Sequence, residues 1–349
     1  MFESLGFEEL TAPQVAVYFA LILGTLFGAL AERTKFCFRR GLVGEDRTQA
    51  MGVWQTALAV AIIGTQAAVA AELISFDDHR FMTSDLPIAA IILGGLIFGA
   101  GMVLTRGCAS RLTVLSATGN LRALTVLVVF AVTAHATLKG ALAPLRSGLN
   151  TMTYDLGDLV SLSSLPGGAT VWAGLLAIAA LAFGLRSGNR PTTLILAVFI
   201  GALVPLGWVG TGYVLYDDFD PINMESLAFT SPWTDTLFWS VAASSIPASF
   251  GLGLIGGTLL GSFLSAAAAR RLQWQSFTSA PETLRYFGGA VLMGIGGVLA
   301  GGCTIGAGLS GIPTLSVAAL LTLVAITVGA MATHAMTRST PTQKLAAAE

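Results

Sequence analysis

The sequence predicts an all-α polytopic membrane protein. About nine transmembrane helices are expected in two inverted repeats, with short re-entrant, glycine-rich broken helices near the membrane midplane. Three observations lead there. The 349-residue chain is 54% hydrophobic and only 11% charged, with a mean hydropathy of +0.77, too apolar for a soluble globular domain. Apolar runs of the ~20 residues needed to cross a bilayer recur along it. Two glycine-framed cysteine motifs, far apart in the chain, resemble each other.

In chain order, the apolar runs lie near 14–31, 51–74, 86–104, 121–137, 168–186, 191–212, 235–269, 284–300 and 312–336. The third and eighth are followed by "TRGCASRLTVLSATGN" and "GGCTIGAGLSG", connections apolar enough to belong at membrane depth. The run near 235 is long and interrupted by "SSIPASFG", so it is expected to be broken or tilted. The leading "MFESLGFEELTA" carries three glutamates and no basic residue, unlike the start of a secretory signal, so the first run is expected to be retained as a span.

Lysine and arginine set the orientation through the positive-inside rule. With the amino terminus outside and nine crossings, the inner segments are 32–50, 105–122, 186–190, 270–286 and 337–349. These hold fifteen of the eighteen basic residues. Only Arg80, Lys139 and Arg146 stay outside. The carboxyl terminus is therefore expected on the cytoplasmic side.

Laying residues 94–108 over 289–303 without gaps matches Gly94, Gly99, Gly101, Val103, Leu104, Gly107 and Cys108 with Gly289, Gly294, Gly296, Val298, Leu299, Gly302 and Cys303. The span before Cys108 runs inward and the span before Cys303 runs outward, so a duplication here is an inverted one. The expected organisation is a first repeat at 1–137, an outer loop and connector span at 138–190, a second repeat at 191–336 and a cytoplasmic tail at 337–349, all in a single membrane domain.

Glycine also lines ordinary helix contacts in membranes, and a free cysteine is often a small buried hydrophobe. Packing alone, however, does not require a cysteine in each copy, so Cys108 and Cys303 read as functional, with Gly107 and Gly302 opening the backbone beside them. The third cysteine, Cys37, sits in "AERTKFCFRRGLVGE" among Arg33, Arg39 and Arg40. Its counterpart in the second copy carries no cysteine. Those arginines, with Arg106 and Arg111, are positive-inside anchors or attractors of an anion on the cytoplasmic side.

At "TKFCFRRG", "GAGMVLTRGCASRLTVLSATGNLRAL" and "GIGGVLAGGCTIGAGLSGIPTLS" the chain resembles the YeeE/YedE family of sulfur-compound permeases, whose type member is a thiosulfate transporter. The resemblance runs from about residue 15 to 336. It implies inverted repeats, hourglass-like bent helices, loops entering from both faces and a central path of functional cysteines, here Cys37, Cys108 and Cys303, along which thiosulfate moves through transient hydrogen bonds. It also implies a role in sulfur assimilation and a cytoplasmic TusA/SirA-like sulfur-carrier partner. Relatives tied to selenium metabolism share similar motifs, which leaves other sulfur or selenium anions as alternatives.

Thiols suit such a substrate. S–H is a weak donor, and weak, repeated contacts are what permeation needs. Two other classes stand beside the permease. A membrane sulfurtransferase forming a cysteine persulfide would need a base, for which His135 and His334 are the available residues, both read as interfacial. A different channel is hinted at by "WVGTGYVL", and "GLGLIG" formally fits a dinucleotide fingerprint but lacks its strand context. The sequence carries no P-loop lysine motif, no metal-ligand spacing and no basic tail for nucleic acid. The expectation is a non-enzymatic permease without cofactor whose partners are a sulfur anion and the lipid bilayer.

Overall fold

The computed structural model describes residues 10–217 and 220–339. The acidic leader at 1–9 and most of the expected tail lie outside the described residues. The helices are α1 (Ala12–Thr34), α2 (Phe38–Val43), α3 (Arg47–Ala70), α4 (Ile88–Leu104), α5 (Ala109–Ala117), α6 (Leu121–Lys139), α7 (Ala143–Asn150), α8 (Gly168–Arg186), α9 (Pro191–Val209), α10 (Thr230–Ala242), α11 (Phe250–Ala268), α12 (Ala280–Leu299) and α13 (Val317–Ser339). Wide π-helical turns occupy Gly210–Val214 and Thr304–Gly311. A two-residue antiparallel pairing of Asp85–Leu86 with Tyr154–Asp155 ties the loop after α3 to the loop after α7.

Among the described residues nine helical segments are long and apolar enough to cross a membrane, one for each predicted run. This is a multi-pass, all-α membrane protein. The run at 235–269 is broken, as its interruption predicts: only Phe250–Ala268 has the length and hydropathy of a span. Its starting bound needs correcting, because α10 begins earlier, at Thr230, as a separate 13-residue helix. The seven residues between them contain Pro247, which cannot donate to a helix, and Ser249, whose hydroxyl caps α11 by accepting the Leu252 N–H at 3.4 Å.

The second correction concerns residues 32–50, which the charge pattern places in a connection. The structure buries Phe36, Cys37 and Phe38 at 3, 6 and 4% exposure and turns the segment into α2. The chain reverses because Lys35 adopts the left-handed conformation (φ 52°) and lets the Phe36 N–H reach back to the Ala31 carbonyl, a helix-ending turn that frees the next residues to start a new direction.

Close helix contacts hold this frame together. In a bilayer, helix association relies on packing rather than on expulsion of water, so small residues set how near backbones come. A Cβ on Gly261 of α11 would lie 1.9 Å from the Thr25 carbonyl oxygen of α1, a distance no side chain could occupy. Gly94 of α4 is similarly pressed against the Gly296–Ala300 backbone of α12, while Gly101 of α4 meets Gly289. Exchanging the two aligned motifs turns the first of these contacts into the second.

The wider packing follows the same exchange. Helix α1 packs on α11 as α9 packs on α3; α4 on α13 as α12 on α6; α2 on α3 and α13 as α10 on α11 and α6; and α5 on α6 as the second π-helical turn on α13. Helix α8 has no counterpart and lies against α3.

Candidate functional site: three thiols at helix breaks

The three cysteines occupy one local design used three times. Helix α1 ends, Lys35 turns left-handed, and two residues on Cys37 sits in extended backbone as the residue before α2. Helix α4 ends, Arg106 turns left-handed (φ 59°), and Cys108 begins α5. Helix α12 ends, Gly301 turns left-handed (φ 73°), and Cys303 begins the wide turn Thr304–Gly311. In each case the thiol stands where the next helical segment presents unsatisfied N–H groups. At Cys303 one of them is used: the Gly306 N–H donates to Sγ at 3.4 Å. A non-glycine residue in the left-handed region is strained, and Lys35 and Arg106 both accept that strain beside a cysteine.

All three cysteines are free and buried, Cys108 and Cys303 at 1% exposure. The Cys37 and Cys108 thiols face each other. Ser110 Oγ lies 3.3 Å from Cys108 Sγ. From the break at Cys303, Thr304 turns its hydroxyl toward the Cys108 thiol and has no other partner. The segment carrying Cys303 is fixed from outside the turn: Ser310 donates to the Leu227 carbonyl at 2.7 Å, and Thr322 donates to the Ala300 carbonyl at 2.9 Å. Gly107 and Gly302 allow the tight corners: a Cβ on Gly107 would meet Leu112 at 3.1 Å, and one on Gly302 the Ala307 nitrogen at 3.1 Å.

Cavities open at two ends of this cluster. The first, about 580 Å³, is lined by His79, Arg80, Trp208, Glu225, Asp235 and Gly306, among others. It shares Arg80, Ala228, Ser231 and Gly306 with a small pocket of about 50 Å³ in which Cys303, Gly302 and Thr230 are exposed to the void. Burial, together with the Arg80 charge, pushes the His79 imidazole down to about 4, so it is neutral at neutral pH. Burial, helped by Asp235 and opposed by Arg80, pushes the Glu225 carboxyl up to about 7. The second cavity, about 750 Å³, is lined by Arg39, Arg40, Arg106, Arg285, His334 and Arg338. A neighbouring one of about 370 Å³ holds Lys35, Arg111, Glu32 and Arg271.

The structure thus gathers some sequence candidates and disperses others. Cys37 and Cys108 adjoin, with Arg111 close enough for its charge to act on both. Arg39, Arg40 and Arg106 line the second cavity, where Arg40 is paired with Asp46. Arg33 is not part of it: it is exposed and reaches Ser265 at 3.4 Å. His135 stacks on Phe238 with ring centroids 3.6 Å apart, and among the described residues no hydrogen bond joins a histidine to any of the thiols. Arg80 was missed as a site residue. Its signal was present, because it is one of three basic residues that the charge pattern leaves on the outer side.

A family model described as Sulphur transport matches residues 33–332, which takes in all three breaks. The chain belongs to that family. Among curated proteins it is similar to Thiosulfate transporter TsuA of Escherichia coli (strain K12), 29% identical over 323 residues that cover 83% of this chain and 85% of the relative. It is also similar to Thiosulfate transporter TsuA of Spirochaeta thermophila (strain ATCC 700085 / DSM 6578 / Z-1203), 28% identical over 327 residues, 87% of this chain and 94% of the relative. Both relatives are named as transporters rather than enzymes. Membership of the Sulphur transport family makes this chain a sulfur-compound transporter.

Proposed function

We propose that this protein is an inner-membrane permease that imports thiosulfate, or a closely related sulfur anion, for sulfur assimilation. The anion would pass from the Arg80 cavity past Cys303, then Cys108 and Cys37, to the arginine-lined cavity beyond. The observation that carries this reading is the placement of all three free cysteines at buried helix breaks between two polar cavities. The family membership and the names of the relatives support it.

The chemistry is coherent with that route. Thiosulfate presents sulfonate-like oxygens and a polarizable terminal sulfur. Thiols offer weak donors that release as readily as they bind. The N-termini of α5 and of the turn after Cys303 aim N–H groups toward the same region and can solvate the oxygens. Thr304 Oγ1, buried with no partner but the Cys108 thiol, is a further donor. Arg80 would draw the anion in at one end and Arg39, Arg40, Arg106 and Arg111 at the other.

We infer further that 1–137 and 191–336 are inverted repeats joined through 138–190, with the amino terminus outside and the carboxyl terminus cytoplasmic. The paired helix contacts and the exchange of the Gly94–Gly296 and Gly101–Gly289 contacts support the repeat, and the distribution of arginine and lysine supports the orientation. A TusA/SirA-like carrier on the cytoplasmic face would consume the imported sulfur.

The test is labelled thiosulfate uptake into proteoliposomes by wild type, Cys108→Ala and Cys303→Ala at matched reconstitution, challenged with excess sulfate, sulfite and selenite. We expect wild-type uptake that resists sulfate and falls at least about tenfold in either variant, the effect of losing about 1.4 kcal/mol of interaction at the limiting step. Wild-type levels in both variants would remove the thiols from the path.

A further inference from the structure

The arginine-lined cavity is larger than a simple exit for a small anion requires. Its volume is about 750 Å³, within the range of cavities that hold drug-sized or cofactor-sized ligands and several times that of thiosulfate, an anion of two sulfurs and three oxygens. Five arginines line it, drawn from four elements: Arg39 and Arg40 from α2, Arg106 from the turn after α4, Arg285 from α12 and Arg338 from α13. Against them stand two carboxylates, Glu45 and Asp46, and Asp46 is already engaged by Arg40.

The remaining guanidinium groups crowd one another. Arg39 lies close enough to Arg106 and Arg285 to feel both charges, and His334 feels Arg39, Arg47 and Arg338. The Nε atoms of Arg39 and Arg285 are buried without a hydrogen-bond partner. Holding like charges together with donors unfilled is unfavourable unless an anion completes the cluster. Arginine rather than lysine fits this role: among the residues lining the cavity every fixed cation is a guanidinium, the group whose planar fork binds tetrahedral oxyanions through paired hydrogen bonds.

We propose that this chamber is a binding site for a phosphate-class oxyanion, supplied either by a free phosphate compound or by the headgroup of an anionic phospholipid. The site is the cavity in which the proposed thiol path ends, and its walls are contiguous with the corners that carry the thiols. Arg39 and Arg40 follow Cys37 on α2, and Arg106 is the left-handed residue two positions before Cys108. An oxyanion seated there would clamp the two corners that position the facing thiols.

The experiment uses the full-length protein, purified in detergent and stripped of lipid. Inorganic phosphate and pyrophosphate are titrated while the thermal midpoint is followed, since a ligand that binds only the folded state raises it in proportion to the logarithm of its concentration. In parallel, the protein is reconstituted with phosphatidylcholine alone or with added phosphatidylglycerol, and bound lipid is counted by native mass spectrometry. The variants are Arg285→Gln and Arg338→Gln, with Arg186→Gln as a control outside the chamber.

We expect saturable stabilisation by pyrophosphate, stronger than by phosphate, with affinity weakened at least about tenfold in Arg285→Gln and unchanged in Arg186→Gln. Retention of phosphatidylglycerol that is lost in the same variant and competes with pyrophosphate would identify the lipid as the source. Pyrophosphate binding indifferent to lipid would identify a free compound. If Arg285→Gln is not monodisperse, the exposed Arg338 decides through Arg338→Gln. No binding of pyrophosphate, phosphate or phosphatidylglycerol below about 1 mM, or binding undiminished in the monodisperse variants, would overturn the proposal. Because the readout is oxyanion binding and not uptake, its failure is distinguishable from failure of the thiol path.

Discussion

The two large cavities differ in how their charge is made. The one containing Arg80 is mixed: a single arginine lies among Glu225, Asp235, Asp78 and His79, and Glu225 titrates near 7. The arginine chamber is dominated by guanidinium groups, which stay charged at every pH at which the protein is folded. One end of the molecule therefore has an electrostatic character that shifts across the physiological range, and the other has one that is nearly fixed. On the proposed route, an anion would meet an adjustable approach first and a constant basic region beyond the thiols.

The contrast can be broken most decisively at Arg80. Arg80→Gln removes the one fixed cation of the mixed cavity, and we expect uptake at low thiosulfate to fall about tenfold, mainly through a higher KM; an unchanged KM in proteoliposome uptake would show that the approach does not depend on it. Next in size is the pH response. The Glu225 carboxyl is held above its ordinary range, so it is charged above about pH 7 and neutral below. Lowering the pH from 8 to 6 removes a negative charge beside Arg80, and initial uptake should rise roughly threefold, the scale of a partly screened charge interaction.

His79 stays neutral over that interval, and Arg80 stays charged, so Glu225→Gln should flatten the response at its low-pH level. A slope that persists in that variant would place the titrating group elsewhere. The smallest effect is expected from His334→Gln in the arginine chamber, where the pH slope should match wild type; a changed slope would show that the constant end is not constant.

These charges were only partly legible in the sequence. The nine spans were readable because a bilayer demands runs of apolar residues, and each predicted run has its helix. The breaks at Cys108 and Cys303 were readable because glycine surrounds them. The break at Cys37 was not, since its left-handed position is filled by Lys35 and no glycine marks it. Helix α10 was misplaced because Asp235 lies inside it and made the apolar run seem to begin there. Arg80 and Glu225 lie far apart in the chain, in loops whose polar composition looks like ordinary surface, and only folding brings them to one cavity.

The repeated corner has a further consequence. With the residue two places earlier locked left-handed and the cysteine in extended backbone before a new helical turn, main-chain geometry fixes each Cβ and leaves the sulfur a single side-chain torsion. A change from sulfur to oxygen at such a corner would leave the architecture intact, since serine is itself a favoured residue at that position. Cys303→Ser would then act as a single-atom probe, comparing a soft contact with a hard one at the same point in space, and the corner is a place where selectivity among chemically similar anions can drift without the protein having to refold.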